Sequence, residues 1–230
     1  METFPASDRG QSASVSWSNV SEEFVNYQLI VEFKDPIVHS NNNQLLNVDK
    51  GERQVLTHLS KLLDTQSMAD VTFVVENEKI GAHSAIIASA SPVIRTMLDT
   101  EEFKEGRTKV VEVDDIGPPV FKKMLRYLYT GKDPQLNERK MTEQLFLAAH
   151  KYQIEALKDL CEQRLISKLN VQTAVHYLIL AHLHTAPLLL EASLQFLVEH
   201  KKEARTRPEW KELMNCHPDL FFLAANRMIG

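Results

Sequence analysis

Residues Asp70–Leu98 read DVTFVVENEKIGAHSAIIASASPVIRTML, and this stretch decides the fold. Val71-Thr72-Phe73-Val74-Val75 is β-branched and aromatic, which predicts a strand, and its near-continuous apolar character predicts burial on both faces. Glu76–Lys79, with Asn77 inside, reads as a hairpin turn, and Ile80-Gly81-Ala82 as a short returning strand. His83-Ser84 then lead into a compact apolar helix, Ala85-Ile86-Ile87-Ala88. Pro92 has no N–H to continue that helix, and its ring clashes with the preceding turn. It can open a new helix, with Ser91 as N-cap and Val93, Ile94, Met97 and Leu98 as the buried stripe. A hairpin followed by two short helices broken at Ser-Pro carries no catalytic group at its turns.

Downstream the same alternation continues. Asp99–Gly106 reads as a polar, mobile loop carrying the single apolar residue Phe103, and residues 99–115 hold seven carboxylates against Lys104, Arg107 and Lys109. Lys109–Val113, KVVEV, predicts another short strand. Gly117-Pro118-Pro119 marks a turn and helix start, after which Val120, Phe121, Met124, Leu125 and Leu128 form a core stripe. Gly131 suits the left-handed position that closes that helix. Thr142 is a candidate N-cap for a helix carrying Leu145 and Phe146, and Ile154–Leu165 continues as the next. A wholly helical segment follows. Asn170 is placed to cap Val171–His184, Pro187 opens a helix to about Lys201, and Pro208 and Pro218 open two more. Such a bundle is too small to be comfortable alone and is expected to dock on the preceding module.

Upstream, Met1–Ser18 is serine-rich and poor in apolar residues, the composition of a segment that does not order itself. Tyr27–Phe33 reads as a strand broken by Asp35-Pro36, and Asn41-Asn42-Asn43 as a loop. Asp49–Asp64 predicts an amphipathic helix, with Val55, Leu56, Leu59, Leu62 and Leu63 at helical spacing. That stripe either packs on its own domain or meets another surface.

Composition bounds the chemistry. The chain has 230 residues, 43% of them hydrophobic and 25% charged, enough for a real core. A net charge of −5 gives no electrostatic reason to expect nucleic acid. The basic tract Lys201, Lys202, Arg205, Arg207 and Lys211 is interleaved with Glu203 and Glu209 and reads as a solvated helix face. Cys161 and Cys216 are far apart and form no C-x-x-C, in keeping with a reducing, intracellular compartment. No stretch has the apolar length to span a bilayer, and the N-terminus lacks a signal-peptide core. Of the nine histidines, His182 and His184 are densest, but positions two apart on a helix point about 200° from each other and cannot share one ion. Neither cysteine has a nucleophile signature, there is no G-x-S-x-G elbow, and no glycine-rich loop is present to cradle a phosphate. No enzyme, metal or cofactor is expected.

The blocks ADVTFVV…IGAHSAIIASASPVIRTML and VFKKMLRYLYTG closely resemble the BTB/POZ domain. TGKDPQL, LAAHKYQIEALKDLCEQRL, LILAHLHTA and CHPDL resemble the speckle-type POZ group in particular. The resemblance runs from about Gly51 to the C-terminus. It implies an α+β fold, a small sheet covered by helix pairs, divided as an N-terminal segment 1–50, a BTB/POZ domain 51–167 and a helical 3-box/BACK-like extension 168–230. In that group a substrate-binding MATH domain precedes the POZ domain. Residues 1–50 have room for its last strand at most, so Tyr27–Phe33 is either that remnant or a strand added to a POZ sheet edge.

The resemblance also implies function. It suggests a nuclear or cytoplasmic, non-catalytic adaptor of a cullin-3 RING ubiquitin ligase, recruiting an unidentified substrate protein. Homodimerisation would use Val55, Leu59, Leu62 and Ile86. Cullin binding would use Phe103-Lys104-Glu105, which fits the family's apolar–x–Glu signature, with the helical box enlarging the contact. The competing fate for Phe103 is to fold back against Met97 or Leu98. The competing function is that of a regulator pairing with related POZ proteins without recruiting substrates itself.

Overall fold

A computed structural model describes residues 42–132 and 134–229, with side chains from Lys50 onward. The expected strand at Tyr27–Phe33 and the serine-rich start lie outside the described residues. β1 (Val71–Val75) and β2 (Glu78–Ala82) form an antiparallel hairpin in register Val71↔Ala82 to Val75↔Glu78. The turn is therefore only Glu76-Asn77, two residues shorter than expected. Glu76 adopts φ 53, the sense of backbone twist that a two-residue hairpin demands at its first turn position. β3 (Val110–Val113) adds in parallel on the other side of β1, giving the order β2-β1-β3. Lys109 is not in the strand; it stands just before it in the left-handed region, at φ 55.

Burial in β1 alternates. Val71, Phe73 and Val75 are buried, whereas Thr72 and Val74 are half-exposed. The expectation of burial on both faces is corrected accordingly: successive side chains take opposite faces, and the second face is only partly covered.

The sealed face meets helices. α2 (Ser84–Ala90) and α3 (Pro92–Asp99) split at Ser91, as its neighbour Pro92 requires. Ser91 joins three elements. Its N–H donates to Ile87 O at the end of α2, and its Oγ accepts from Ile94 N at the start of α3. The same hydroxyl donates to Tyr152 O at 2.6 Å, between α6 (Arg139–Lys151) and α7 (Glu155–Ile166). α5 (Pro118–Thr130) brings Phe121 against Phe73, ring centroids 4.9 Å apart, and ends at Gly131 with φ 61. Burying each such side chain contributes about 1.5–3 kcal/mol. α1 (Asn42–Thr65) lies along α5. It begins before Asp49, so Asn42 and Asn43 are helical rather than loop. Between α3 and β3 a further short helix, α4 (Lys104–Thr108), replaces the expected loop.

Thr142 is not a cap. α6 starts at Arg139, and Thr142, fully buried, donates to Glu138 O and accepts from Lys168 Nζ at 3.1 Å. Asn170 does cap, but it caps an entry turn. Its Oδ1 accepts from Gln172 N and Thr173 N, and α8 (Ala174–Leu183) begins just after. α9 (Pro187–Glu199), α11 (Pro208–Cys216) and α12 (Pro218–Ile229) start at the expected prolines. α10 (Lys201–Thr206), separate from α9, carries part of the basic tract.

Two apolar clusters result. The first joins Phe73, Ile87, Ile94, Phe121, Leu145 and Leu157 and continues without a break to Tyr177, Leu180 and Leu189. The second holds Val175, Leu178, Leu197, Trp210, Leu213 and Leu220. Leu169 and Leu190 pack against both. The extension thus buries one side of α8 in the same core as the sheet, which is the docking its size required.

Candidate protein–protein interface

Thr100–Lys109 is wound, not loose. Thr100 O accepts from Phe103 N at 3.1 Å, and Phe103 is the residue from which α4 starts. Gly106 is buried, packed so closely on Thr100 that an added Cβ would lie 2.1 Å from its carbonyl oxygen. At the other end Lys109 N donates to Glu105 O at 2.8 Å, and Lys109 Nζ donates to Leu98 O at 2.7 Å, at the end of α3. Holding a non-glycine residue in the left-handed region costs about 1–2 kcal/mol, which these two bonds offset. Lys104 pairs with Glu112 of β3 at 3.0 Å, and that hydrogen bond holds its ammonium above the ordinary lysine value.

Phe103 stands 46% exposed on this turn and does not fold back into the core. Glu105, two residues on, is half-buried and Asp99, Glu101 and Glu102 are exposed. The three residues Phe103, Lys104 and Glu105 therefore lie on one closed turn, with Phe103 exposed. The stretch expected as a loop is helical from Lys104 to Thr108. Composition alone hid the closure at Gly106, because a glycine amid charged residues reads as flexible until its neighbour across the turn is known.

Beyond β3 the chain passes a cleft of about 260 Å³ whose apolar wall is Ile116, Val120, Leu147 and Ala148. Asp115 at its rim pairs with Lys151 at 2.6 Å. Asp115 follows Glu112, Lys104's partner, by three residues, so the cleft and the Phe103 turn flank the same strand. Leu147 is 38% exposed. Sequence reading placed Val120 of this wall in a core stripe and gave Leu147 no role.

The expected dimer residues differ in exposure. On α1, Val55 is 57% exposed, Leu59 and Leu62 are half-buried, and Leu63 is sealed in the core. Ile86 on α2 is half-buried, and Leu59 and Ile86 both pack partly on the core. The stripe thus serves its own domain through Leu63 and leaves Val55 open. Arg126 of α5 ties α1 down through Asp64 and Ser60.

The helical box is seated by two buried charges that sequence reading passed over. On α7, Lys158 Nζ donates to Thr185 O at 2.9 Å, and Glu162 Oε1 accepts from Leu189 N at 2.6 Å, in the first turn of α9. Each charge meets the helix end whose backbone dipole suits it. Their signal was a Lys and a Glu four apart on the apolar stripe of Leu157, Cys161 and Leu165. On the neighbouring surface, burial pushes the Glu143 carboxyl up, but His176 at 3.2 Å and Arg139 outweigh it and hold it below the usual carboxylate range. His184 stacks edge-on to His150, centroids 5.0 Å apart, and burial, His150 and Lys158 hold its ring below the ordinary histidine value. Among the described residues, no group of three or more His, Cys, Asp or Glu side chains could hold a metal ion, and no helix is long and apolar enough to cross a membrane.

Comparison with known proteins gives this geometry its context. The chain is 38% identical over 172 residues to mouse TD and POZ domain-containing protein 5, covering 74% of this chain and 50% of that protein. Mouse TD and POZ domain-containing proteins 1 and 2 are 37% and 34% identical, over 74% and 80% of this chain and 47% and 50% of theirs. These relatives carry the TD and POZ name rather than the speckle-type one, and the chain spans about half their length. A solved structure, the BTB domain of zebrafish PATZ1, is similar over 53% of this chain and 95% of its own, with 24% identity and a TM-score of 0.44. The model of the BTB/POZ domain matches residues 59–169, which take in the last turns of α1, the sheet, α2 to α7 and the Phe103 turn. Residues 59–169 are a BTB/POZ domain, extended at its C-terminal end by helices that share its core.

Proposed function

We propose that this chain is a non-catalytic adaptor of a cullin-3 RING ubiquitin ligase, self-associating through its POZ domain. The observation that carries the reading is Phe103, an aromatic side chain left 46% exposed on a turn closed by Gly106 against Thr100. A rigid exposed aromatic has the properties of an interface anchor, since it loses little freedom on binding and fills a partner's pocket. Glu105 at its side would orient the partner more than hold it. The likeness of several sequence blocks to the speckle-type POZ group supports cullin-3 as that partner, with the helical box of α8 and α9 enlarging the contact. The exposed Val55, with Leu59, Leu62 and Ile86, forms the self-association face, which would also admit related POZ proteins. Work as an adaptor in this ligase places the chain inside the cell, in nucleus or cytoplasm.

The test is Phe103→Ala in titration calorimetry against the cullin-3 N-terminal domain. Wild-type binding should weaken by about 2 kcal/mol or more. Unchanged affinity removes Phe103 as anchor. Absence of binding by the wild type, with recovery of only POZ relatives in pull-downs, leaves the regulator that pairs with them as the function. Leu59→Asp with Leu62→Asp should yield a folded monomer by light scattering, and a wild type already monomeric at tens of micromolar removes the self-association.

A further inference from the structure

The turn that displays Phe103 is built by residues that the partner itself need not touch. Gly106 approaches Thr100 so closely that an added Cβ would lie 2.1 Å from Thr100 O and 2.8 Å from Thr100 C. Both are backbone atoms, so no side-chain rotation can make room. Any residue larger than glycine must open the loop from Thr100 to Gly106, and Phe103 sits midway along it. Lys109 closes the second half. Its left-handed backbone brings its N–H to Glu105 O, and its ammonium reaches back to Leu98 O on α3, an attachment point fixed by the buried Leu98 side chain. Phe103 O in turn accepts from Arg107 N at 3.4 Å, so the turn's own bonds run through the displayed residue.

We infer that Gly106 and Lys109 are positioning residues for the Phe103 contact: they pre-wind Thr100–Lys109 so that a partner meets the aromatic ring already outward. The partner's identity rests on the function proposed above; the pre-winding itself does not. The Lys104 side chain, by contrast, makes an exposed pair with Glu112, which solvent and salt screen, and it contributes little to the positioning.

The experiment joins amide hydrogen exchange on the full chain with calorimetry against the cullin-3 N-terminal domain. Gly106→Ala should speed exchange at Phe103, Arg107 and Lys109 by about tenfold or more while amides of β1 stay protected. Its cullin affinity should fall about as far as that of Phe103→Ala. Lys109→Gly keeps the left-handed backbone but loses the bond to Leu98 O, so it should show a smaller fall, and Lys109→Arg should restore most of it. Folded Gly106→Ala with wild-type exchange over 103–109, or with wild-type affinity, overturns the inference. If Gly106→Ala does not fold, the same two readouts on Lys109→Gly and Lys109→Arg decide it. If the wild type binds no cullin, the proposed function has failed, and exchange alone decides whether these residues wind the turn.

Discussion

The sheet core and the seam where α8 and α9 meet α6 and α7 are built from different chemistry. Around Phe73 and Phe121 the contacts are mostly apolar, with backbone, the Ser91 and Tyr129 hydroxyls and the His83 ring supplying the polar ones. Along the seam, charged and titratable groups line up: Lys158 on Thr185 O, Glu162 on Leu189 N, His150 on His184, Glu143 on His176. Apolar packing is non-directional and sets whether the domain folds. Charge-assisted hydrogen bonds have fixed geometry and set how one element sits on another. The POZ sheet is therefore stabilised, whereas the extension is both stabilised and oriented.

The largest effect should come from the core. Phe121→Ala removes a fully buried ring and should cost about 3–5 kcal/mol in denaturant unfolding, felt equally throughout the chain. Next is the seam. Glu162→Ala should cost about 1.5–3 kcal/mol by leaving Leu189 N–H buried and unpaired, with exchange rising in α9 before α2. Equal loosening of α2 and α9 would erase the distinction between the two regions.

Acid should likewise act on the seam. His184 titrates below its ordinary 6.5 when folded, so the unfolded chain binds its proton first; that stability is complete above pH 6.5 and is lost as pH falls through the depressed value. Glu143 titrates below its ordinary 4.5, so its contribution is present above 4.5 and is lost lower still. Melting temperature should fall in two stages on acidification. His184→Gln should flatten the first stage only, and an unaltered profile in that variant would place the acid-sensitive group elsewhere. The smallest effect should be that of Lys104→Ala, whose pair with Glu112 is exposed on both sides, and its unfolding midpoint should match that of the wild type.

Much of the fold was legible where a residue's role is local. Pro92, Pro118, Pro187, Pro208 and Pro218 each start a helix because proline tolerates only the first turn. Ser91 caps and Gly131 closes for equally local reasons. The misses depended on partners distant in sequence. Thr142 looks like a cap until Lys168 is seen to claim its hydroxyl. The Phe103 turn looks mobile until Gly106 is seen against Thr100.

Alone, the sequence determined the element order, the hairpin with its two helices, the apolar stripes, and Phe103 as an aromatic stranded among carboxylates, because periodicity and turn chemistry are written in neighbouring residues. Only the tertiary structure decided that this aromatic stays exposed on a turn closed by Gly106, that a cleft opens past the end of the following strand, that Leu63 and Val55 of one helical stripe meet different surroundings, and that Lys158 and Glu162 seat the extension. Each of these depends on which backbone comes close to which, and that is set by the packing of the whole core.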